Sequence, residues 1–214
     1  MESVSPKGFK KAGLIFLGLG LLAGLVQYFP VIKAEIGYQF KGNAKETAEV
    51  RLSAPLITNQ EEGAPKDSTK VIIPESKSFG LVIKKLGINT PIIAQVDPFD
   101  SKVYQEALAK GIAHAKDTAL PNAGGNTVLF AHSSDNFYNA NRYNAVFYLL
   151  NKLETGDEIH VAFENKLYEY EVAEKKVVSP EEMSYMESSK ESKLTLITCW
   201  PPGTTLKRLV VVAK

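Results

Sequence analysis

Thr195-Leu-Ile-Thr-Cys-Trp-Pro-Pro-Gly-Thr-Thr-Leu-Lys-Arg208 holds the only cysteine in a chain of 214 residues. Thr195 through Cys199 is an apolar, β-branched run of the kind that forms a strand, and Pro201-Pro-Gly203 breaks it. Arg208-Leu-Val-Val-Val-Ala213 then reads as a second short strand. If the two strands pair, Cys199 and Arg208 lie near one sheet edge. A thiol needs a base or a positive field to become the reactive thiolate, and a guanidinium supplies charge at any ordinary pH without titrating. Taken alone, a lone cysteine is more often a small buried hydrophobe, and an arginine at a strand start more often a surface residue. Chemistry needs a histidine as well.

The chain has three histidines. Thr127-Val-Leu-Phe-Ala131 follows the turn cluster Pro121-Asn-Ala-Gly-Gly-Asn126 and reads as a strand that delivers His132 at its end, where Ser133, Ser134 and Asp135 open a polar loop. A strand terminus shared with Cys199 is the geometry that nucleophilic catalysis wants, so His132 is the candidate acid and base. His160 lies within the plain strand read at residues 159–163 and fits a structural role. His114, in Gly111-Ile-Ala-His-Ala115, is less easily assigned.

The remaining chain supplies the scaffold. Residues 79–86 and 90–94 read as strands around the tight connection Gly87-Ile-Asn89. Ser101 can cap a helix in which Val103 with Ala107, and Tyr104 with Leu108, form i, i+4 pairs, with Gly111 ending it. A helical stretch is expected at residues 145–150. Glu164-Asn-Lys166 reads as a hairpin turn between the strand at 158–163 and Leu167-Tyr-Glu-Tyr-Glu-Val172, which alternates strictly. Residues 180–189 read as a loop with a short helical turn. About eight short strands, two small helices and no long helical crossover point to a mainly β fold, a closed or partly closed barrel.

Net charge is +1 and the hydrophobic fraction 44%, which fits one ordinary domain plus extras and gives no argument for a nucleic-acid partner. Residues 12–32 carry no charge, and at about 1.5 Å per residue they are long enough to cross a hydrocarbon layer of roughly 30 Å. Lys7, Lys10 and Lys11 precede the run, so residues 1–11 are expected in the cytoplasm and the rest of the chain outside. Ile32-Lys33-Ala34 is a poor cleavage site, which favours a retained signal anchor over a cleaved signal peptide. Residues 33–70 read as a linker, and the compact domain is expected over 71–214. In an exported protein an unpaired cysteine is either incidental or reactive.

Gly111-Ile-Ala-His-Ala115, Gly125-Asn-Thr-Val-Leu-Phe-Ala-His132, Thr155-Gly-Asp157, Tyr168-Glu-Tyr170, Thr195-Leu-Ile-Thr-Cys199 and Arg208-Leu-Val-Val211 together resemble the ordered landmarks of the sortases, membrane-anchored cysteine transpeptidases of bacterial cell surfaces. The resemblance covers about residues 71–214. It implies an eight-stranded β-barrel with Cys199 as nucleophile, His132 as acid and base, and Arg208 as stabiliser of the oxyanion. By motif position His114 matches a landmark outside the catalytic set. The resemblance further implies cleavage of a sorting signal such as Leu-Pro-x-Thr-Gly after the threonine, a thioester, and transfer to an amine. The partners would be secreted proteins bearing a C-terminal sorting signal and a peptidoglycan precursor or another amine acceptor at the membrane.

The flanking residues Ala131, Ser133, Ile197, Thr198 and Trp200 are the candidates for substrate contact. Family members often have glycine before the histidine and arginine after it, where this chain has Ala131 and Ser133. The interval from Cys199 to Arg208 is short compared with the best-studied housekeeping class. Asp97-Pro-Phe99 resembles the lid motif of the pilin class but falls after the second strand rather than before the first. With no second apolar segment before Lys214, the resemblance sits nearer the housekeeping classes. No cofactor and no metal are expected. Glu181 and Glu182 lie in a loop, where acidic residues serve solubility more often than calcium, although calcium activation stays open. The competing readings are a non-catalytic anchored binding domain and another Cys/His/Arg transpeptidase acting on wall cross-links.

Overall fold

A computed structural model describes residues 13–22, 35–36, 38–39, 48–53, 71–133 and 145–214. Eight strands close into one barrel: β3 (Phe79–Ile83), β4 (Ile88–Val96), β5 (Ile112–Ala115), β6 (Asn126–Phe130), β7 (Glu158–Phe163), β8 (Lys166–Val178), β9 (Lys193–Trp200) and β10 (Lys207–Ala213). Their order around the barrel is β10-β8-β7-β3-β4-β5-β6-β9. Two short strands, β1 (Glu49–Val50) and β2 (Val71–Ile72), pair in parallel outside it. The mainly β, eight-stranded barrel expected from the sequence is the observed fold.

Side-chain alternation divides β5, β6, β9 and β10 between two apolar clusters. Leu81, Ile83, Leu129, Ile159, Val161, Leu194, Leu196, Leu209 and Val211 fill the interior. Ala115, Val128, Ile197 and Val210 face outward and are covered by Tyr185, with Met186 packed against them. Strand β9 is therefore buried on both faces from Leu194 to Thr198. A strand covered on both sides reads as a continuous apolar run, which is why this stretch shows no polar alternation.

Several boundaries differ from the sequence reading, each for a local reason. The first strand stops at Ile83, and Lys84–Leu86 turn as a 3-10 helix closed by Gly87 at φ 66. Helix α1 (Ser101–Leu108) is capped by Asp100, which accepts from the amides of Lys102 and Val103, so Ser101 is already inside the helix. Gly111 does not end that helix but leads into β5, where a Cβ would collide with the carbonyl oxygen of Pro91. Strand β8 continues past Val172 to Val178 because the pairing with β10 shifts register between Val212 and Ala213. Such a bulge flips the facing of later residues and ends the alternation without ending the strand. Around residues 145–150 the chain forms turns leading into a 3-10 helix at Leu150–Lys152.

The membrane anchor read at residues 12–32 lies largely outside the described residues. Its described part, 13–22, is helical. Among the described residues no helix is long and apolar enough to cross a membrane. Of the linker read at 33–70, residues 48–53 include β1 and are tied to the barrel, where the Lys84 ammonium donates to the Ala48 carbonyl at 3.2 Å.

Candidate active site

Strand β10 lies antiparallel to β9, and Arg208 is the direct partner of Cys199. Directly opposed residues point to the same face with Cβ atoms about 4.5–5.5 Å apart. That face is the outward one, since Ile197 and Val210 share it with Val128. On the other side of β9, β6 runs parallel with Phe130 level with Ile197. The Ala131 amide continues the ladder by donating to the Ile197 carbonyl at 3.2 Å. β6 ends at Phe130, and continuing its register by two residues would bring His132 level with Cys199. Three strand ends thus carry a thiol, an imidazole and a guanidinium to one edge of the barrel.

Each of the three groups has a defined surrounding. Cys199 is unpaired and half-buried. The Arg208 Nη1 donates to the carbonyls of Thr205 and Lys207, both at 3.1 Å, which holds the guanidinium against its own hairpin. Burial pushes the Tyr185 phenol up, and the Arg208 charge pulls against it, so the guanidinium is within electrostatic reach of the segment that covers the outer face. The His132 Nε2 lies 3.3 Å from Gln105 Oε1 on helix α1. Tyr104, next to Gln105, meets Phe130 edge to face at 6.5 Å between centroids and seats that helix beside the end of β6.

The flanking candidates fall into two groups. Ile197 is buried in the outer-face cluster, beneath the level of the thiol. Ala131 belongs to the interior cluster, and the buried Thr198 hydroxyl donates to its carbonyl at 2.8 Å, stitching β9 to β6. Trp200 is half-buried against the barrel interior and is joined to Pro201 by a cis peptide bond. Ser133 is buried, with no hydrogen-bond partner for its hydroxyl among the described residues.

The other two histidines are held away from this edge. His114 is completely buried; its Nδ1 accepts from the Gln95 amide at 3.3 Å, which leaves Nε2 to donate toward the Ala119 carbonyl at 3.1 Å. Burial pushes its pKa down. His160 is pushed down by burial and then by the Lys84 charge, with Glu169 and Glu158 opposing. Burial disfavours the charged form of both rings. Among the described residues no group of three or more His, Cys, Asp or Glu is placed to hold a metal ion. Glu182 instead accepts from the amide and hydroxyl of Ser184.

Sequence reasoning missed Gln105, Asn126 and Thr195. Gln105 sat on a helix read only as scaffold. Asn126 and Thr195 carried a signal: polar residues at outward positions of two apolar strands that are buried on both faces, where a polar side chain has to find a partner.

A family model for the sortase domain matches residues 81–214, more than half of the chain. Sortase A of Listeria monocytogenes is 28% identical over 213 residues, spanning 96% of this chain and 90% of that protein. Sortase D of Bacillus subtilis is 25% identical over 228 residues, spanning 100% of this chain and 98% of its own. Among solved structures, sortase C-1 from Actinomyces oris superposes with a TM-score of 0.53 at 29% identity, covering 63% of this chain and 71% of that one. The family match includes all three strand ends that meet at the barrel edge, and this chain belongs to the sortases, the cysteine transpeptidases.

Proposed function

We propose that this sortase cleaves a sorting signal of the Leu-Pro-x-Thr-Gly type between threonine and glycine and passes the threonine acyl group to an amine at the cell surface. The Cys199 thiolate attacks the threonine carbonyl carbon, and the carbonyl π pair moves onto oxygen. Arg208 donates to that oxyanion. The His132 imidazolium gives its proton to the glycine nitrogen, the C–N bond breaks, and a thioester remains. An acceptor amine then attacks the thioester carbon, neutral His132 takes its proton, and the C–S bond breaks to regenerate the thiolate.

The observation that supports this reading most strongly is the direct pairing of Cys199 with Arg208 across β9 and β10. A guanidinium on the residue directly opposite can donate to the oxyanion once it forms. His132, in register on the neighbouring strand, supplies the proton relay. The peptide would lie at the outward edge beside Cys199, with Ile197, covered by Tyr185, supporting the strand from below rather than touching it. Trp200 and Ser133 would bound the reactive end, and Ala131 and Thr198 would act through the backbone they hold.

In the same reading residues 12–32 are a signal anchor with residues 1–11 in the cytoplasm, 33–70 a linker, and 71–214 the catalytic domain outside the membrane. Its clients are secreted proteins with a C-terminal sorting signal, and its acceptor is a peptidoglycan precursor or another surface amine. The test is to incubate the detergent-purified full chain with a panel of five-residue motif peptides and hydroxylamine. Hydroxamate product should form with wild type and vanish in Cys199→Ala. Product that persists unchanged in that variant overturns the assignment.

A further inference from the structure

Asn126 begins β6 and is almost completely buried. Its Nδ2 donates to the Tyr185 carbonyl at 2.8 Å and to the Glu187 carbonyl at 3.0 Å. Its Oδ1 accepts from the Thr195 hydroxyl at 2.7 Å. A side-chain amide offers two N–H donors and one carbonyl acceptor, and here all three functions are used inside the protein. From β6 it thus reaches two other pieces of chain, β9 and the segment joining β8 to β9.

That joining segment is the one covering the outward face. It leaves β8 at Val178, which is level with Arg208. It reaches the 3-10 turn Ser184–Met186, whose Tyr185 and Met186 pack on Val128, Ile197 and Val210. It returns to the barrel at Lys193, level with Asn126. The strap therefore runs from the reactive edge to the far end of the same two strands. Asn126 and Thr195 share the outward face with His132 and Cys199 respectively, since each pair is separated by an even number of strand residues. The amide cluster holds the strap at its far end, and the apolar contacts of Tyr185 and Met186 hold it only by area. Hydrogen bonds fix direction and height where apolar contacts do not.

We infer that Asn126, together with Thr195, is a positioning residue for the peptide substrate: it sets the strap so that one wall of the groove beside Cys199 is formed before peptide arrives. This rests on the functional reading above. A pre-formed wall avoids ordering costs at the moment of binding, so its loss acts on peptide affinity. Cys199, His132 and Arg208 lie elsewhere on the chain, and the contacts of His132 with Gln105 and of Arg208 with the Thr205 and Lys207 carbonyls do not involve the cluster. The effect should therefore fall on KM.

The test uses the full chain in detergent with a peptide that wild type turns over. Asn126→Ala should raise KM about tenfold, the scale of one lost hydrogen bond expressed at binding, and change kcat less than about twofold. Hydrogen exchange at the amides of Met186 and Glu187 should accelerate in the same variant. Thr195→Val removes only the hydroxyl donor while keeping a β-branched strand residue, and should raise KM by a smaller factor; Thr195→Ser should restore it. The double variant should be no worse than Asn126→Ala alone. If Asn126→Ala does not fold, the Thr195 pair decides the matter. Faster exchange in the strap with KM unchanged makes the cluster merely structural and overturns the inference, as does a fall confined to kcat. Failure of wild type to process any peptide overturns the functional reading and this inference with it, and that outcome is visible in the wild-type arm alone.

Discussion

Two parts of the barrel wall are fastened to chain outside it, and by opposite means. Over β5, β6, β9 and β10 the strap is pinned by a neutral, buried amide with three hydrogen bonds. Beside β3 and β7, residues 48–53 are fastened by Lys84, which donates to the Ala48 carbonyl and pairs with Glu158 at 2.7 Å. The Lys84 side chain is 30% exposed and that of Glu158 62%. A buried amide must be fully paired and therefore dictates position, whereas a half-exposed ion pair is screened by water and tolerates displacement. Cys199 sits on the first wall. Geometry that has to hold to a fraction of an ångström is found where the fastening is buried and neutral.

The largest effect expected on the reactive side comes from Arg208→Lys. A lysine keeps the charge but loses the planar fork, and loss of one oxyanion donor costs about two to three powers of ten in rate. The substitution should lower kcat by that factor in single-turnover measurements of thioester formation, with the urea midpoint unchanged. A variant as fast as wild type would mean that the cross-strand pair is structural and that the two walls do not differ in function.

Next in size is a stability effect carried by the histidines that face away from the site. Removing the fully buried His114 ring with His114→Ala takes its partner from the Gln95 amide and the Ala119 carbonyl, which should cost about 1–3 kcal/mol in all. His114 and His160 both titrate lower when folded than the value near 6.5 expected of the unfolded chain. Below that value the unfolded chain binds more protons, so their contribution is whole above about pH 6.5 and is lost as pH falls through their folded values. His114→Gln can keep a donor toward Ala119 without titrating. Its urea midpoint should therefore fall less than that of wild type between about pH 7.5 and about pH 5. An equal fall would remove His114 from the acid response.

A subtler probe addresses the contact between helix α1 and the proposed proton relay. The His132 Nε2 lies 3.3 Å from Gln105 Oε1, which holds the ring in one orientation. Gln105→Leu removes that acceptor and should lower kcat/KM by about tenfold, the scale of one hydrogen bond. Gln105→Glu keeps an acceptor oxygen there and should lose less. A leucine variant as fast as wild type would leave the helix as scaffold, and a loss confined to leucine would extend the reactive wall to include it.

Much of this was legible in the residues because the barrel is built from short apolar runs bounded by turn formers. Cys199, His132 and Arg208 stood out because each ends, begins or follows such a run, and the register of β9 and β10 sets Cys199 level with Arg208. What the sequence concealed depends on contacts across the fold. The bulge in β8 hid six strand residues by reversing their facing, so alternation ended at Val172 although pairing with β10 continues to Val178. Asp100 outcompeted Ser101 as the cap because a carboxylate one position earlier reaches two amides. Asn126 looked like one more turn residue after Gly124 and Gly125. Its partners come from a segment far along the chain, and no local pattern announces them.

The smallest effect is expected at Lys84, and it bears on the opposite wall. Lys84→Met keeps the stem and removes the ammonium, so Glu158, whose carboxyl is held low first by the hydrogen bond and then by the charge of Lys84, loses that support. With both groups partly in water, the pair contributes no more than about 1 kcal/mol, and less at high salt. Hydrogen exchange at Arg51, whose amide donates to the Ile72 carbonyl at 3.0 Å, should quicken in the variant. Peptide turnover should stay within about twofold of wild type, because the ion lies across the barrel from β6, β9 and β10 and its loss displaces nothing on their outward face. A tenfold fall in kcat/KM from this substitution would show that the two walls are mechanically coupled, and the division between a rigid reactive wall and a forgiving one would have to be given up.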